Sequence, residues 1–411
     1  MTPADVIPFR RGAAFGSRRR IAFVINSLGP GGAERVMTHI LQATPHGEWE
    51  PHLVLLDQEP ERRTPPEFVR VHRLNCGGRL KPSVIQLRTA LQAIEPDLVV
   101  SFLVRANVAS IIVGRSLGIP VAASERSQLT THLAGKYRGI RHLAASLAPR
   151  LTYRQADRFI ACSEGVRSDL IQNFGVAAER CEQIPNPFDL DQIMRDAAER
   201  PERELPPRFM VSVGRLVESK GFADLIEAYE LIRPELPLVI LGEGPSRPAL
   251  EMQVAASGLG SRIRFLGYAR NPFAVVARAE LFVSASHCEG FPNAMVEAMA
   301  LGLPVVATDC PSGPAEILDG VETVKATGIH AGKYGVLTPM KRPDVLARAL
   351  ALMADARSRE RFSHLSRLRA QEFRLDRVTE RYWQSFSAVL NGSGDVRTRE
   401  RMPLDAAGGR A

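Results

Sequence analysis

This sequence predicts an α/β chain made of two Rossmann-like, doubly wound parallel-sheet domains that face each other across a cleft. Three observations predict it. The 411 residues suit two or three domains of about 150 residues each, and a hydrophobic content of 45% is ample for their cores. Short apolar runs alternate with helical patterns, the rhythm of βαβ units and parallel sheets. The rhythm pauses at Pro185-Asn186-Pro187-Phe188-Asp189 and again from Arg200 to Pro207, where prolines and charges mark an interdomain linker.

Residues 1–19 are Gly/Ala/Arg-rich and read as a disordered basic tail. Ile21 to Asn26 is a buried-strand run, broken by Gly29-Pro30-Gly31-Gly32 before a helical pattern from Ala33 to Leu41. Strand runs follow at His52 to Leu56, Leu98 to Leu103, Val121 to Ser124 and Arg158 to Cys162. Helical patterns lie between them at Pro82 to Ile94, Ala106 to Leu117 and, after the last, Glu164 to Asn173. These form a first domain over 20–187. A second, over 188–375, takes its strands from Phe209 to Val213, Leu238 to Leu241, Arg262 to Leu266, Leu281 to Ser284, Val305 to Thr308 and Gly335 to Leu337. One long helical stretch is expected from Pro343 to Leu390, and 392–411 reads as a loose tail.

Composition narrows the function. No run of 18 or more apolar residues exists, so a spanning helix is not expected. The first 20 residues lack the apolar segment of a signal peptide. Five scattered cysteines without CxxC spacing favour reduced thiols in a cytoplasmic protein over disulfides or zinc. A net charge of +8 and a pI near 9.5 suit an anionic partner: a nucleotide, a nucleic acid or an anionic membrane.

Glu289-Gly290-Phe291-Pro292-Asn293-Ala294-Met295-Val296-Glu297 carries the most chemistry. Glu280 to Ser286 reads as a strand, so two carboxylates flank a turn beyond its C-terminal end. Pro292 suits the first turn of a helix, and Asn293 can cap one. Free N–H groups at such a helix start attract an anion such as a phosphate. Glu289 can grip sugar hydroxyls, and Glu297, two turns later, can reach a ribose. Phosphate, sugar and ribose together make a sugar nucleotide.

Gly214-Arg215-Leu216-Val217-Glu218-Ser219-Lys220-Gly221 follows the first strand of the second half. Arg215 and Lys220 put two cations over one spot, as a diphosphate leaving group requires when charge builds on its oxygens. Gly242-Glu243-Gly244-Pro245 and Gly267-Tyr268-Ala269-Arg270-Asn271-Pro272 end the next two strands, and such turns let backbone approach a flat ring. Ser27-Leu28-Gly29-Pro30-Gly31-Gly32-Ala33-Glu34-Arg35 offers N–H groups of Gly31 and Gly32 to the cleft. A nicotinamide-binding loop would need Gly-x-Gly-x-x-Gly, and its third glycine is missing here. Ser124-Glu125-Arg126-Ser127 ends a strand on the same edge, with Glu125 as a candidate catalytic residue. Asp189-Leu190-Asp191 reads as linker and cap, not as a metal site, and Glu316 reads as a helix N-terminal acid.

As a set, Glu-x7-Glu around Gly-Phe-Pro-Asn, Gly-Arg-x4-Lys-Gly and Gly-Gly-Ala-Glu-Arg resemble the family 4 retaining glycosyltransferases, and within them the polysaccharide and glycolipid branch. The resemblance spans about residues 20 to 390. It implies the GT-B fold, with a last helix at about 376–391 crossing back to the first domain. It implies transfer of a sugar from a nucleotide-sugar, most simply a UDP-sugar, to a lipid-linked saccharide or polysaccharide with retention of configuration. Glu289 then holds the donor sugar, Glu297 the ribose, and Arg215 with Lys220 the diphosphate. Gly242, Gly244, Tyr268 and Asn271 surround the base, while Gly31, Gly32 and the turn Phe291, Pro292, Asn293, Ala294 and Met295 complete the cradle. The departing phosphate oxygen helps deprotonate the acceptor, with no metal and no other cofactor. Many relatives carry a cleft histidine where this chain has Glu125 and Arg126.

A nucleotide-sugar 2-epimerase of the same fold is the alternative activity. A lectin-like or nucleic-acid binder would need neither the diphosphate clamp nor the ribose carboxylate, so no nucleic acid is expected. From Lys136 to Arg154 the chain is basic and carries Ile140, Leu143, Leu147 and Leu151 at helical spacing. A peripheral dock on the anionic inner face of the cytoplasmic membrane is the expectation, with Arg10, Arg11, Arg18, Arg19 and Arg20 adding to it.

Overall fold

The computed structural model describes residues 18–29, 31–136 and 140–399, and the side chains of these apart from 136, 140–144 and 393–399. Two seven-stranded sheets carry the chain. The first runs β3-β2-β1-β4-β5-β6-β7, from β1 (Arg19–Ile25), β2 (Trp49–Leu55), β3 (Arg70–Arg73), β4 (Leu98–Phe102), β5 (Val121–Glu125), β6 (Arg158–Ala161) and β7 (Cys181–Gln183). The second runs β10-β9-β8-β11-β12-β14-β13, from β8 (Met210–Val213), β9 (Leu238–Leu241), β10 (Ile263–Gly267), β11 (Leu281–Ser284), β12 (Val305–Thr308), β13 (His330–Ala331) and β14 (Val336–Thr338).

Described pairings are parallel except β13 with β14. Helices cover both faces of each sheet. That is why central strands such as Leu98–Phe102 and Leu238–Leu241 are apolar throughout, or nearly so, and wholly buried. In both sheets the strand order reverses at the centre, beside β1 and β4 in one and β8 and β11 in the other. Ligands of doubly wound sheets bind at such reversals, beyond the strand C-termini.

Two crossings join the lobes, and they run side by side. Phe188 N donates to Phe373 O at 2.9 Å, and Leu375 N donates to Phe188 O at 2.8 Å. The helix Leu375–Arg399 then crosses to the first lobe, as expected. Trp383 and Phe386 meet Phe23 edge-on, each at 5.9 Å, and Trp383 lies 5.6 Å from Trp49. Aromatic pairs of this kind fix where the helix docks.

Several expectations need correction. The stretch from Pro343 to Leu390 is three helices, not one: Pro343–Leu352, Ala356–Ala370 and Leu375–Arg399. Asp355 starts the second by accepting from Ser358 N, and the turn Gln371–Phe373 ends it. The last helix continues through Arg399 where a loose tail was expected, because a glycine costs a helix only about 1 kcal/mol and no proline intervenes. Residues 1–17 and 400–411, including Arg10 and Arg11, lie outside the described residues, while Arg19 already belongs to β1. The strands β3, β7 and β13 were not anticipated.

Candidate active site

β8 and β11 are neighbours, so the loops that leave their C-terminal ends share one edge of the second lobe. The turn Glu218–Lys220 ends at Gly221, whose φ of +62° and contact with the Ala285 carbonyl exclude a side chain. This sets Lys220 beside the β11 loop. Lys220 Nζ donates to Glu289 Oε1 at 2.6 Å, and Ser286 Oγ donates to the same oxygen at 2.7 Å. Ser312 Oγ holds the Glu289 backbone carbonyl at 2.8 Å. Arg215 stands exposed at the end of β8, with no side-chain partner among the described residues. Ser286 carries no sequence pattern, and Ser312 heads the string Ser312-Gly313-Pro314-Ala315-Glu316-Ile317, which resembles one common in the polysaccharide and glycolipid branch but assigns that serine no role.

Beyond the turn, the helix Asn293–Ala300 starts without a side-chain cap. The Met295 amide already bonds Pro292 O at 3.1 Å, whereas the amides of Phe291, Asn293 and Ala294 have no acceptor among the described residues. Phe291 is buried and meets Phe373 at 5.4 Å and Phe188 at 6.3 Å, so its ring anchors the turn to both crossings instead of facing a ligand. Glu297 is 7% exposed and pairs with Arg35 from the other lobe. Burial, with the like charge of Arg63 beside it, brings the Arg35 guanidinium down to about 10, so it stays charged at neutral pH.

Other contacts close the seam between the lobes. Asn186 donates to Asn293 Oδ1, and Gly32 lies against the Asn293 amide where a side chain would clash. Gly290 meets the Arg126 carbonyl, and Gly165 meets Ser312, each too closely for a Cβ. Glu316 reaches across the seam: its carboxylate accepts from Glu164 N at 2.7 Å and Gly165 N at 3.1 Å. It thereby caps the helix Glu164–Phe174 of the first lobe, a longer reach than the capping of its own helix read from sequence.

Not every expected residue faces this edge. Glu125 is 1% exposed and points into the first lobe, accepting from Tyr153 Oη at 2.8 Å and Arg126 N at 3.2 Å; burial raises its pKa to about 7. The strand-end rule fails there because Tyr153 and Asn107 offer buried donors beneath β5. Arg126 turns the other way, donating to Tyr382 Oη at 2.9 Å and stacking over Phe102. Gly242 and Gly244 press against the carbonyls of Gly214 and Leu216, so they brace the Arg215 loop instead of opening room for a ring. Asn271 is committed to the Asp196 carbonyl at 2.7 Å and to Glu199 at 2.9 Å. The Glu34 carboxylate folds over Gly31, at the helix start expected to receive an anion.

Tyr268 is 60% exposed and lines an interlobe cavity of about 340 Å3 with Arg35, Arg62, Arg63 and Arg270. Asp189 caps the helix Leu190–Ala198, accepting from Gln192 N at 2.8 Å, and Asp191 pairs with Arg374. Among the described residues, no three His, Cys, Asp or Glu side chains form a metal-holding group. Chemically, the edge offers two cations, a carboxylate held on one oxygen, unpaired helix-start amides and a second carboxylate about one turn into that helix.

Two family models match the chain and divide it at the linker. The model described as Glycosyltransferase Family 4 covers residues 30–192, and that described as Glycosyl transferases group 1 covers residues 207–355. The N-acetylgalactosamine-N,N'-diacetylbacillosaminyl-diphospho-undecaprenol 4-alpha-N-acetylgalactosaminyltransferase of Campylobacter jejuni is 28% identical over 369 residues, 86% of this chain and 96% of that protein. The lipopolysaccharide 1,6-galactosyltransferase of Salmonella typhimurium is 29% identical over 174 residues, 41% of this chain and 46% of that one. The structure of Anabaena HepE in complex with UDP-glucose shares the fold, with a TM-score of 0.69 over 90% of this chain and 99% of that one at 22% identity.

Proposed function

We propose, for a chain that is a glycosyltransferase of the GT-B fold, that it moves a sugar from a UDP-sugar to a lipid-linked saccharide with retention of configuration. The observation that carries this reading is the contact of Lys220 with Glu289 at 2.6 Å, at the joint edge of β8 and β11 and beside a helix start with unpaired amides. In the proposed reaction Lys220 and Arg215 meet the diphosphate as its charge grows. Glu289 then turns its carboxylate to the sugar hydroxyls, and the amides of Phe291, Asn293 and Ala294 complete the cradle. Glu297 takes the ribose. With two cations and a helix start on the leaving group, no divalent metal is required, and the departing oxygen assists the acceptor's deprotonation on the same face.

The acceptor reading is supported by the relatives, whose names include a diphospho-undecaprenol 4-alpha-N-acetylgalactosaminyltransferase and a lipopolysaccharide 1,6-galactosyltransferase. Two facts about the surface support work at the inner face of the cytoplasmic membrane. On the helix Ile140–Thr152, Leu147 and Leu151 are 52% and 48% exposed, and Arg150 and Arg154 are exposed near them. The Lys136 to His142 part of the basic stretch lies outside the described side chains. Among the described residues no helix is long and apolar enough to cross a membrane.

The test is a panel of nucleotide sugars offered with lipid-diphosphate-linked saccharides in anionic vesicles. A glycosylated lipid with the donor's anomeric configuration, formed equally well in excess chelator, is the expected product. Turnover of UDP-GlcNAc without any acceptor would instead give the epimerase reading.

A further inference from the structure

Two loops meet where Lys220 touches Glu289, and one residue ties them together on both sides of the lysine. His287 stands two residues before Glu289, in the loop that leaves β11. Its backbone N–H donates to the carbonyl of Ser219, the residue before Lys220, at 2.8 Å. Its ring Nε2 lies 2.8 Å from Asp224 Oδ2, in the first turn of the helix Phe222–Ile232 that follows Lys220. An ionised carboxylate only accepts, so the ring donates from Nε2. Gly221 is wedged between the two loops. A Cβ there would run into the Ala285 carbonyl and come within 3.1 Å of His287 Nε2.

Lys220 needs anchors of this kind. Its ammonium is a point charge on a flexible stem, and the turn that carries it, Glu218–Lys220, is a single 3-10 turn. Such a turn does not by itself fix where Nζ ends. Asp224 does not need the imidazole for helix stability, because a first-turn acid is already favoured by the helix dipole. Yet His287 is the one side chain that Asp224 bonds among the described residues. The pair therefore does something beyond starting a helix: it locks the Lys220 turn to the loop that carries Glu289.

We infer that His287 is a positioning residue, which through Ser219 and Asp224 sets Lys220 Nζ against Glu289 and over the donor's diphosphate. The inference rests on the nucleotide-sugar reading above and adds a residue that touches no substrate. It assigns the imidazole an effect on the phosphates alone, exerted only by way of Lys220.

The experiment is calorimetric titration of the full chain with UDP, inorganic pyrophosphate and uridine. The proteins are the native chain, His287→Ala, His287→Gln and Asp224→Ala, each alone and combined with Lys220→Met. His287→Ala should weaken UDP and pyrophosphate about tenfold, since small misplacements of a charged group are costly, and leave uridine unchanged. In the Lys220→Met background the same change should cost less than about twofold, because the group it acts through is gone. Asp224→Ala should match His287→Ala. A glutamine amide offers a donor at a reach similar to imidazole Nε2, so His287→Gln should recover most of the loss.

Native-like pyrophosphate affinity in His287→Ala, whatever its melting temperature, would overturn the inference and leave the pair a packing contact. A loss that persists in full without Lys220 would also overturn it, by putting the imidazole on the ligand itself. So would an equal loss for uridine, the mark of a general disruption. If His287→Ala does not fold, Asp224→Ala set beside His287→Gln decides the same question. These failures leave the donor reading standing, whereas a native chain that binds neither UDP nor pyrophosphate removes that reading and the inference with it.

Discussion

Arg35 and Glu297 form an ion pair across the seam between the lobes, and Glu297 is the carboxylate the proposed reaction reserves for a ribose. The two uses exclude each other. A donor must draw Glu297 away from Arg35, so part of its binding energy goes into breaking a pair whose carboxylate side chain is only 9% exposed. Arg35→Met removes the competitor, and UDP should bind several-fold tighter by calorimetry. The same change leaves Glu297 buried without its cation and should destabilise the free protein by about 3 kcal/mol. Weaker UDP binding in Arg35→Met would show that Arg35 itself touches the nucleotide.

Lys220 and Glu289 share one contact, yet their replacements should differ. Lys220→Met removes a cation from the leaving group and should lower kcat by about 100-fold or more while also weakening UDP. Glu289→Gln should lower kcat comparably but leave UDP affinity near native, because its proposed partner is the sugar. Steady-state kinetics beside UDP titration separates the two. Equal UDP losses in both variants would place Glu289 on the nucleotide.

What the sequence revealed of this arrangement was what local pattern can carry. Ile21 to Asn26, Leu238 to Leu241 and Val305 to Thr308 are legible because strands covered on both faces must be apolar throughout. Arg70–Arg73 and Cys181–Gln183 are edge strands with half-polar sequences, so nothing in them marks β structure. Lys220 and Glu289 were readable from their glycine turns. The pairing of Arg35 with Glu297, and of Glu316 with the amides of Glu164 and Gly165, was not, since each joins residues from different lobes. Glu125 misled because a strand's end fixes where its backbone stops, not which way its last side chain turns.

Glu316 tests whether the seam holds the lobes together. Its carboxylate supplies acceptors to the first two amides of the helix Glu164–Phe174, alongside Ser163, which accepts from Val166 N at 3.3 Å. Glu316→Ala should cost about 1–2 kcal/mol in unfolding free energy, in the range of a lost helix cap. Because the cap bridges two lobes, small-angle scattering of the variant should also show a larger radius of gyration. A stability loss with unchanged dimensions would mean that the two crossings and the remaining contacts alone set the lobe spacing.

Glu125 makes stability depend on pH in a direction opposite to most carboxylates. Burial raises its pKa from 4.5 to about 7, and the bonds from Tyr153, Arg126 and Asn107 only partly offset that. Between those two values the folded protein binds a proton that the unfolded chain has released. Stability from this group is therefore complete below about pH 4.5 and falls as pH rises through about 7. Glu125→Gln fixes a neutral side chain of the same shape. Its melting temperature should exceed the native value at pH 8, with the gap closing as pH falls toward 5. Tyr153→Phe, which removes the donor at 2.8 Å, should shift the native transition to higher pH. A constant offset between native and Glu125→Gln protein from pH 5 to 8 would show that the buried carboxyl does not titrate in this window.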